Sequence, residues 1–452
     1  MPKLTAFKAY DVRGRMPEEL NESLARDIGR AYAAFVKPKR VAVGYDIRLS
    51  SPSLAAALKA GLLESGVDVL DIGLWGTEAV YYATFAEALD GGIMVTASHN
   101  PPDYNGMKFV REESRPISAD TGLKDMAALI ESGRLPPPAA RPGTERPLDI
   151  RKSYLDHVLG YVDRSKLRTL KVVVNAGNGG AGLVVDQLEP HLPFEFIKVH
   201  HDPDGTFPNG IPNPMLEENQ AATGDAVRRA GADVGLAWDG DYDRCFFFDE
   251  HGTFIEGYYL VGLLAEVFLK REPGARIVHD PRLTWNTIDI VRRHGGEPVL
   301  CKSGHAFIKA RMREVDGAYG GEMSAHHYFR NFSYCDSGMI PWLLVLQTIC
   351  ERGLSLSQLV GERMRLFPAS GEINRHLKAD AASVLARVQK LYEKNATTVD
   401  FTDGLSIEFA EWRFNLRGSN TEPLVRLNVE SRGNEALMRE KTAELLAVLD
   451  KG

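Results

Sequence analysis

Aspartates alternate along DGDYDR (239–244), and in a bent loop Asp239, Asp241 and Asp243 can aim three carboxylates at one hard divalent cation. An oxygen-only set of this kind suits Mg²⁺ or Ca²⁺. The spacing also meets part of an EF-hand, with Glu250 at the twelfth position. However, the sixth position, which needs glycine for a sharp turn, is Arg244, and the flanks 234–238 and 245–248 read as strands. The pattern therefore argues against calcium sensing, and a solvated acidic turn is the plain alternative to a metal loop.

A second group is TASHNPPDYNGMK (96–108), which places Ser98, His99 and Lys108 among turn formers directly after an apolar run. His99 beside Ser98 suggests a hydrolase. Yet adjacent side chains project in different directions, and neither a GxSxG elbow nor a triad order is present. A serine near a Mg²⁺ site can instead accept a phosphoryl group and pass it on. As a third reading, Asn100-Pro101 makes Ser98 part of an ordinary strand-end turn.

RGSNTEP (417–423) sets Arg417, Ser419, Asn420 and Thr421 almost side by side, a density of donors that suits phosphate oxygens, although Ser-Asn-Thr also builds plain turns. GEMSAHH (321–327) offers Glu322, Ser324 and His326, types that pair with sugar hydroxyls but say little alone. GNGGAG (177–182) after the run 171–175 has the form of a dinucleotide fingerprint, and equally of a glycine-rich turn from strand to helix.

These loops must be held by elements, and the elements repeat. Short β-branched runs open at 40–44, 171–175 and 276–279, and each is followed by a helix-like stretch and a second apolar run at 67–70, 194–197 and 298–301. A third run, at 92–95, 232–237 and 317–319, leads into TASHNP, DGDYDR and GEMSAHH respectively. Strand and helix alternating at this spacing predict an α/β unit repeated three times. Ligands collect beyond the carboxyl ends of strands in such sheets, so the three loops are expected to share one cleft. The Pro-rich segment 135–143 reads as a connector after the first unit and 367–371 as one before the last. Beyond it, a helix over 382–391, two strands around RGSNTEP and a final helix from Asn434 predict a small α+β domain.

The 452 residues exceed one ordinary core. A net charge of −7 gives no broad positive field for nucleic acid or an anionic membrane, so an anionic substrate must meet locally placed Arg and Lys. No apolar segment approaches a membrane span or a signal-peptide core, and Cys245, Cys301, Cys335 and Cys350 show no CxxC spacing. A reduced cytoplasmic location is expected, with no nucleic-acid or membrane partner.

In this order, TASHNP, DGDYDR, GEMSAHH and RGSNTEP resemble the four signature loops of the α-D-phosphohexomutase superfamily. The likeness runs along the chain from FKAYDVRG (7–14). Within it, DGDYDRCFFFD, HDPRLTWNT (279–287) and GEMSAHHYFRNF are most similar to the bacterial phosphomannomutase group. The resemblance implies three similar α/β domains with mixed sheets and a smaller α+β C-terminal domain, heart-shaped around one central cleft. The implied domains are 1–148 with the phosphoserine loop, 149–251 with the metal loop, 252–366 with the sugar loop and 367–452 with the phosphate loop.

It further implies interconversion of mannose 6-phosphate and mannose 1-phosphate through an enzyme-bound hexose 1,6-bisphosphate, which also serves as activator. Glucose or glucosamine phosphates are alternative substrates within the class. A Mg²⁺-dependent sugar phosphatase and a non-catalytic sugar-phosphate binder are the alternatives outside it. Ser98 is similar to the family's phosphoserine, and with Asp239, Asp241 and Asp243 it would hold Mg²⁺. His99, Lys108 and Arg244 match positions that assist transfer. Glu322, Ser324 and His326 fall in the sugar loop, Arg417, Ser419, Asn420 and Thr421 in the phosphate clamp, and Tyr10, Arg13 and His305 at cleft-lining positions. Partners are hexose phosphates alone, with the chain a monomer or weak homodimer. Two positions depart from relatives: Tyr242, often glycine, and Arg282, near where several have lysine.

Overall fold

The structure is a computed structural model that describes residues 4–377, 380–418 and 424–450. The chain forms two compact units, Met1–Phe254 with His326–Gly353, and Ile255–Ala325 with Leu354–Gly452.

The first unit holds two mixed sheets. In one, Arg40–Tyr45 lies parallel to both Asp68–Leu74 and Gly91–Val95, and Tyr104–Arg111 runs back antiparallel along Gly91–Val95. The central runs are buried on both faces, which is why they read as continuous β-branched stretches without alternation. The register sets Lys108 opposite Met94, four residues before Ser98 in sequence. Helices Glu22–Val36 and Ser51–Glu64 cross at glycines: a Cβ on Gly61 would lie 2.0 Å from the Arg26 carbonyl oxygen. In the second sheet Val234–Trp238 and Glu195–Val199 flank Lys171–Asn175 in parallel, and Cys245–Phe248 returns antiparallel from the aspartate loop.

The segment 135–143, expected to be a connector, closes onto the first sheet. Gly143 packs its backbone on Val67, and Glu145–Pro147 pairs in parallel with Asp68–Leu74 as an edge strand. Pro147 is tolerated there because an edge leaves one side of the backbone without ladder partners. The later part of this unit contributes the hairpin strands His327–Phe329 and Cys335–Asp336 and the helix Ile340–Arg352.

In the second unit Arg276–His279 lies between Glu297–Leu300 and Tyr319–Gly321, all parallel. The third run of this repeat starts at Tyr319, two residues later than its apolar pattern suggests. The C-terminal sheet is antiparallel, in the order Ile373–His376, Leu424–Ser431, Trp412–Gly418, Leu405–Glu408, Thr398–Asp400. Helices Ala381–Tyr392 and Glu435–Asp450 supply Val384, Val388, Met438 and Leu445 to its core. The four cysteines are free thiols, and among the described residues no helix is long and apolar enough to cross a membrane.

Candidate active site

Ser98 sits just past the strand Gly91–Val95 with φ +49, a left-handed conformation that costs a non-glycine residue about 1–2 kcal/mol. Its surroundings hold it there. The Ser98 N–H donates to Thr96 Oγ1 at 2.9 Å, and Asn100 N–H to the Ala97 carbonyl at 2.9 Å. Buried Arg48 donates to four carbonyl oxygens of this loop, those of Ser98, Asn100, Pro101 and Tyr104, at 2.6 to 2.9 Å. With its turn fixed, the Ser98 hydroxyl donates to Asp239 Oδ2 at 2.8 Å.

The aspartate loop crosses between Val234–Trp238 and Cys245–Phe248, and all three carboxylates are buried. Lys108 Nζ donates to Asp241 Oδ2 at 2.7 Å and to Asp243 Oδ2 at 2.5 Å, and Arg244 Nε donates to Asp239 Oδ2 at 2.8 Å. Thr77 Oγ1 also donates to Asp241. Three carboxylates against Lys108 and Arg244 leave one negative charge unbalanced. Each carboxylate offers an oxygen, all within 4.8 Å of one another, and the buried Asp241 Oδ1 and Asp243 Oδ1 have no hydrogen-bond partner. Orphaned oxygens beside a surplus negative charge fit a hard divalent cation such as Mg²⁺.

The titratable groups respond to the same burial and charge. Burial, reinforced by Asp243 and Asp241 against the pull of Arg244, pushes the Asp239 carboxyl up to about 6. Burial alone would raise Asp243 too, but Lys108, His326 and Arg244 outweigh it and hold that carboxyl well below its usual range. Lys108 is buried, which disfavours its charge, yet Asp241 and Asp243 keep it protonated. His99 is depressed by burial and by Arg244 and Arg13, so its ring is neutral. Arg244 Nη2 donates to His99 Nδ1, which places the ring proton on Nε2 and makes His99 a donor.

Other predicted residues of the first unit join this group at its edge. Arg13 donates to Asn100 Oδ1 at 2.7 Å and pairs with Asp11. His326 Nε2 lies 3.6 Å from Asp243 Oδ1, and its backbone bridges to that of Arg244. Tyr10 is half-buried in the bend before Val12–Arg15.

The second unit gathers Glu322, Ser324 and Arg417 around one network. Buried Arg282 donates through Nη2 to Asp280 Oδ2 at 2.7 Å and Ser324 Oγ at 3.2 Å, and approaches Glu322 Oε1 at 3.5 Å. Glu322 also accepts the Gly304 N–H at 2.8 Å, one residue before His305 opens the helix His305–Val315. Arg417 Nη2 donates to Glu372 Oε2 at 3.0 Å, and Arg282 and Arg426 face the same carboxylate. Burial would raise Glu372, but the three arginines hold it below its ordinary value. Ser419, Asn420 and Thr421 lie outside the described residues.

Residues 4–134, 152–252 and 256–367 match the models described as phosphoglucomutase/phosphomannomutase alpha/beta/alpha domains I, II and III, and 372–447 match that family's C-terminal domain. The chain belongs to the phosphoglucomutase/phosphomannomutase family. Family membership makes it a phosphohexomutase, an isomerase that moves a phosphoryl group within a sugar phosphate. Phosphomannomutase of Escherichia coli is 61% identical over 456 residues, covering 99% of this chain and 100% of that protein. A protein named for phosphohexose mutases from Xanthomonas campestris pv. campestris is 60% identical over 449 residues, 99% of each chain. A solved phosphoglucomutase/phosphomannomutase family protein from Burkholderia thailandensis superposes with a TM-score of 0.89 at 32% identity, over 100% of this chain and 98% of that one.

Within this phosphohexomutase, sequence reasoning missed Arg48, Thr77, Asp280 and Glu372. The signal for Arg48 was its place three residues beyond a parallel strand, where site residues gather. The glycine fingerprint has a different task from nucleotide binding. The Gly180 N–H donates to the Gly240 carbonyl at 3.1 Å, and a Cβ on Gly179 would lie 2.8 Å from that oxygen, so these glycines seat the aspartate loop.

Proposed function

We propose that this phosphohexomutase interconverts mannose 6-phosphate and mannose 1-phosphate through a phosphorylated Ser98 and a bound hexose 1,6-bisphosphate, in the cytoplasm and feeding GDP-mannose synthesis. The observation that carries the reading is the Ser98 hydroxyl held 2.8 Å from Asp239 Oδ2 at the rim of the triple-aspartate loop. The 61% identity with an Escherichia coli phosphomannomutase supports the choice of sugar. The domains are proposed as 1–148, 149–251, 252–366 and 367–452, acting as a monomer or weak homodimer without nucleic-acid or membrane partners.

In this reading the phosphorus–oxygen bond at Ser98 breaks as one forms to a free sugar hydroxyl. After the bisphosphate turns round, its other phosphoryl group returns to Ser98. The proton lost by the accepting hydroxyl is returned to the oxygen uncovered in the second transfer, so the cycle is neutral. Phosphoryl transfer depends on positioning and charge stabilisation, which Lys108, Arg244 and the His99 Nε2 donor supply. Asp239, Asp241, Asp243 and a phosphoserine oxygen would hold Mg²⁺, which adds Lewis-acid stabilisation of the phosphoryl oxygens when bound. Arg417, with Ser419, Asn420 and Thr421, takes the phosphate not in transfer, Glu322, Ser324 and His326 take sugar hydroxyls, and Tyr10, Arg13 and His305 line the approach.

With Glu322 and Ser324 proposed to take the third and fourth hydroxyls, the site does not sense the second carbon, where mannose and glucose differ, so comparable turnover of glucose 1-phosphate is a second reading. Side-by-side assays of mannose, glucose and glucosamine phosphates test it, and a preference for mannose of several thousandfold would end it. Ser98→Ala is expected to lose at least ~10³-fold in activity with an unchanged circular dichroism spectrum. The intact mass of the wild type should rise by one phosphoryl group, located at Ser98, on adding hexose 1,6-bisphosphate. Stoichiometric release of inorganic phosphate would replace the mutase with a phosphatase.

A further inference from the structure

Tyr242 stands between Asp241 and Asp243, yet nothing in phosphoryl transfer calls for a phenol there. It is fully buried and has φ +47, a left-handed conformation that glycine adopts freely and tyrosine does not. The strain is offset by a fitted seat. Its hydroxyl accepts the Gly76 N–H at 2.7 Å. A Cβ on Gly76 would lie 2.3 Å from the ring and 2.3 Å from the Asp241 carbonyl oxygen, and one on Gly180 would lie 3.0 Å from the ring. Backbone contacts close the loop around the same seat: Thr77 N–H donates to the Asp241 carbonyl at 3.2 Å, and a Cβ on Gly338 would lie 2.3 Å from the Tyr242 carbonyl oxygen.

We infer that Tyr242 is a positioning residue that sets the spacing of the Asp241 and Asp243 carboxylates for cation binding. Lys108 and Thr77 anchor the Oδ2 atoms, but Asp241 Oδ1 has no hydrogen-bond partner and Asp243 Oδ1 has only His326 at 3.6 Å, so where these two oxygens lie also follows the backbone that Tyr242 pins. The ring has a second task. Beyond it lies a solvent-facing pocket of about 520 Å³ lined by Leu74, Trp75, Leu183, Arg151 and Gln187 as well as Tyr242. Truncating the ring joins that pocket to the back of the aspartate loop and lets water compete for the carboxylates. Tyr242 touches neither sugar nor phosphate in this account; it acts through its two neighbours.

The inference rests on the aspartate loop being the cation site, and its test separates the two. Mn²⁺ binding to full-length, unphosphorylated protein is followed by electron paramagnetic resonance without sugar, and Mg²⁺ binding by competition, well below each variant's melting temperature. Tyr242→Ala should weaken Mn²⁺ by ~10–100-fold, the range typical of residues that orient metal ligands. Tyr242→Phe keeps the ring, loses the hydroxyl pin, and should restore most of the affinity, leaving a ~2–5-fold loss. Wild-type affinity in Tyr242→Ala overturns the inference. Should that variant not fold, Tyr242→Phe decides alone, a wild-type value being the overturning one. Absence of Mn²⁺ binding to the wild type would instead sink the metal reading of the loop, and this inference with it.

Discussion

Arg48 has no part in the proposed chemistry, yet four carbonyl oxygens of the serine loop converge on its guanidinium. Replacing it with methionine keeps the stem and strands those oxygens. Arg48→Met should cost about 3–5 kcal/mol of stability, as breaking a buried charged cluster does, and thermal melting will show it. At a temperature where the variant remains folded, phosphorylation of Ser98 by hexose 1,6-bisphosphate should be slowed more than sugar-phosphate binding is weakened, and Arg48→Lys should recover part of the rate. Equal losses in rate and binding would reduce Arg48 to a packing residue. The contrast with Ser98 shows what sequence reveals at this scale. Ser98, the three aspartates and Arg244 announce themselves by type and spacing within short loops, and the structure brings them together. Arg48 meets main-chain oxygens some fifty positions away, and backbone partners leave no trace in residue type. Tyr242 was visible as an odd residue in the metal loop, but its seat depends on glycines 166 and 62 positions earlier.

The helix Thr77–Ala86 ties distant segments together through one buried carboxylate. Glu78 accepts hydrogen bonds from Ser337 Oγ at 2.9 Å, Gly338 N–H at 2.6 Å and Met339 N–H at 3.3 Å, and its other hydroxyl partner is Tyr154. Burial pushes the Glu78 carboxyl from its ordinary 4.5 up to about 8, against the pull of these donors. The folded chain therefore binds a proton here that the unfolded chain has released. That stability is complete below about pH 4.5 and is lost as pH rises through about 8, at up to about 1.4 kcal/mol per pH unit. In Glu78→Gln the amide oxygen can still face the two N–H groups while its NH₂ faces the hydroxyls. Chemical denaturation of the variant should show a flatter decline between pH 5 and 8 than the wild type, and parallel curves would refute the assignment. This helix also marks a limit of pattern reading. Its residues Thr77 to Thr84 are buried all round, so no polar face signals its orientation. The β-branched runs of the three repeats were legible because both faces of their strands are covered. The short edge strand Glu145–Pro147 was not, since pairing on one side imposes no apolar pattern on exposed residues.

Taken whole, the molecule places every proposed cation ligand in the unit Met1–Phe254 with His326–Gly353. Calorimetry should accordingly resolve more than one unfolding transition. Mg²⁺ at 100 times its dissociation constant should stabilise the ligand-bearing unit by about 2.7 kcal/mol and leave the other transition in place. A single transition that moves as one, or no response to Mg²⁺ after chelation, would contradict this. The composition of that unit has a further bearing on how the protein is made. Its first 254 residues leave the ribosome before its last stretch, 326–353, exists, because the whole of 255–325 is translated in between. Until then Glu78 lacks Ser337, Gly338 and Met339, and Trp238 lacks the Gly338 carbonyl that accepts its indole N–H at 2.9 Å. At roughly 5–20 residues per second the 71 residues of 255–325 take on the order of 4–14 seconds. During that interval the two sheets of the nascent unit have all their strands, but the buried surface around Glu78 and Trp238 that 326–353 will cover stays open, the kind of exposed surface that chaperones shield.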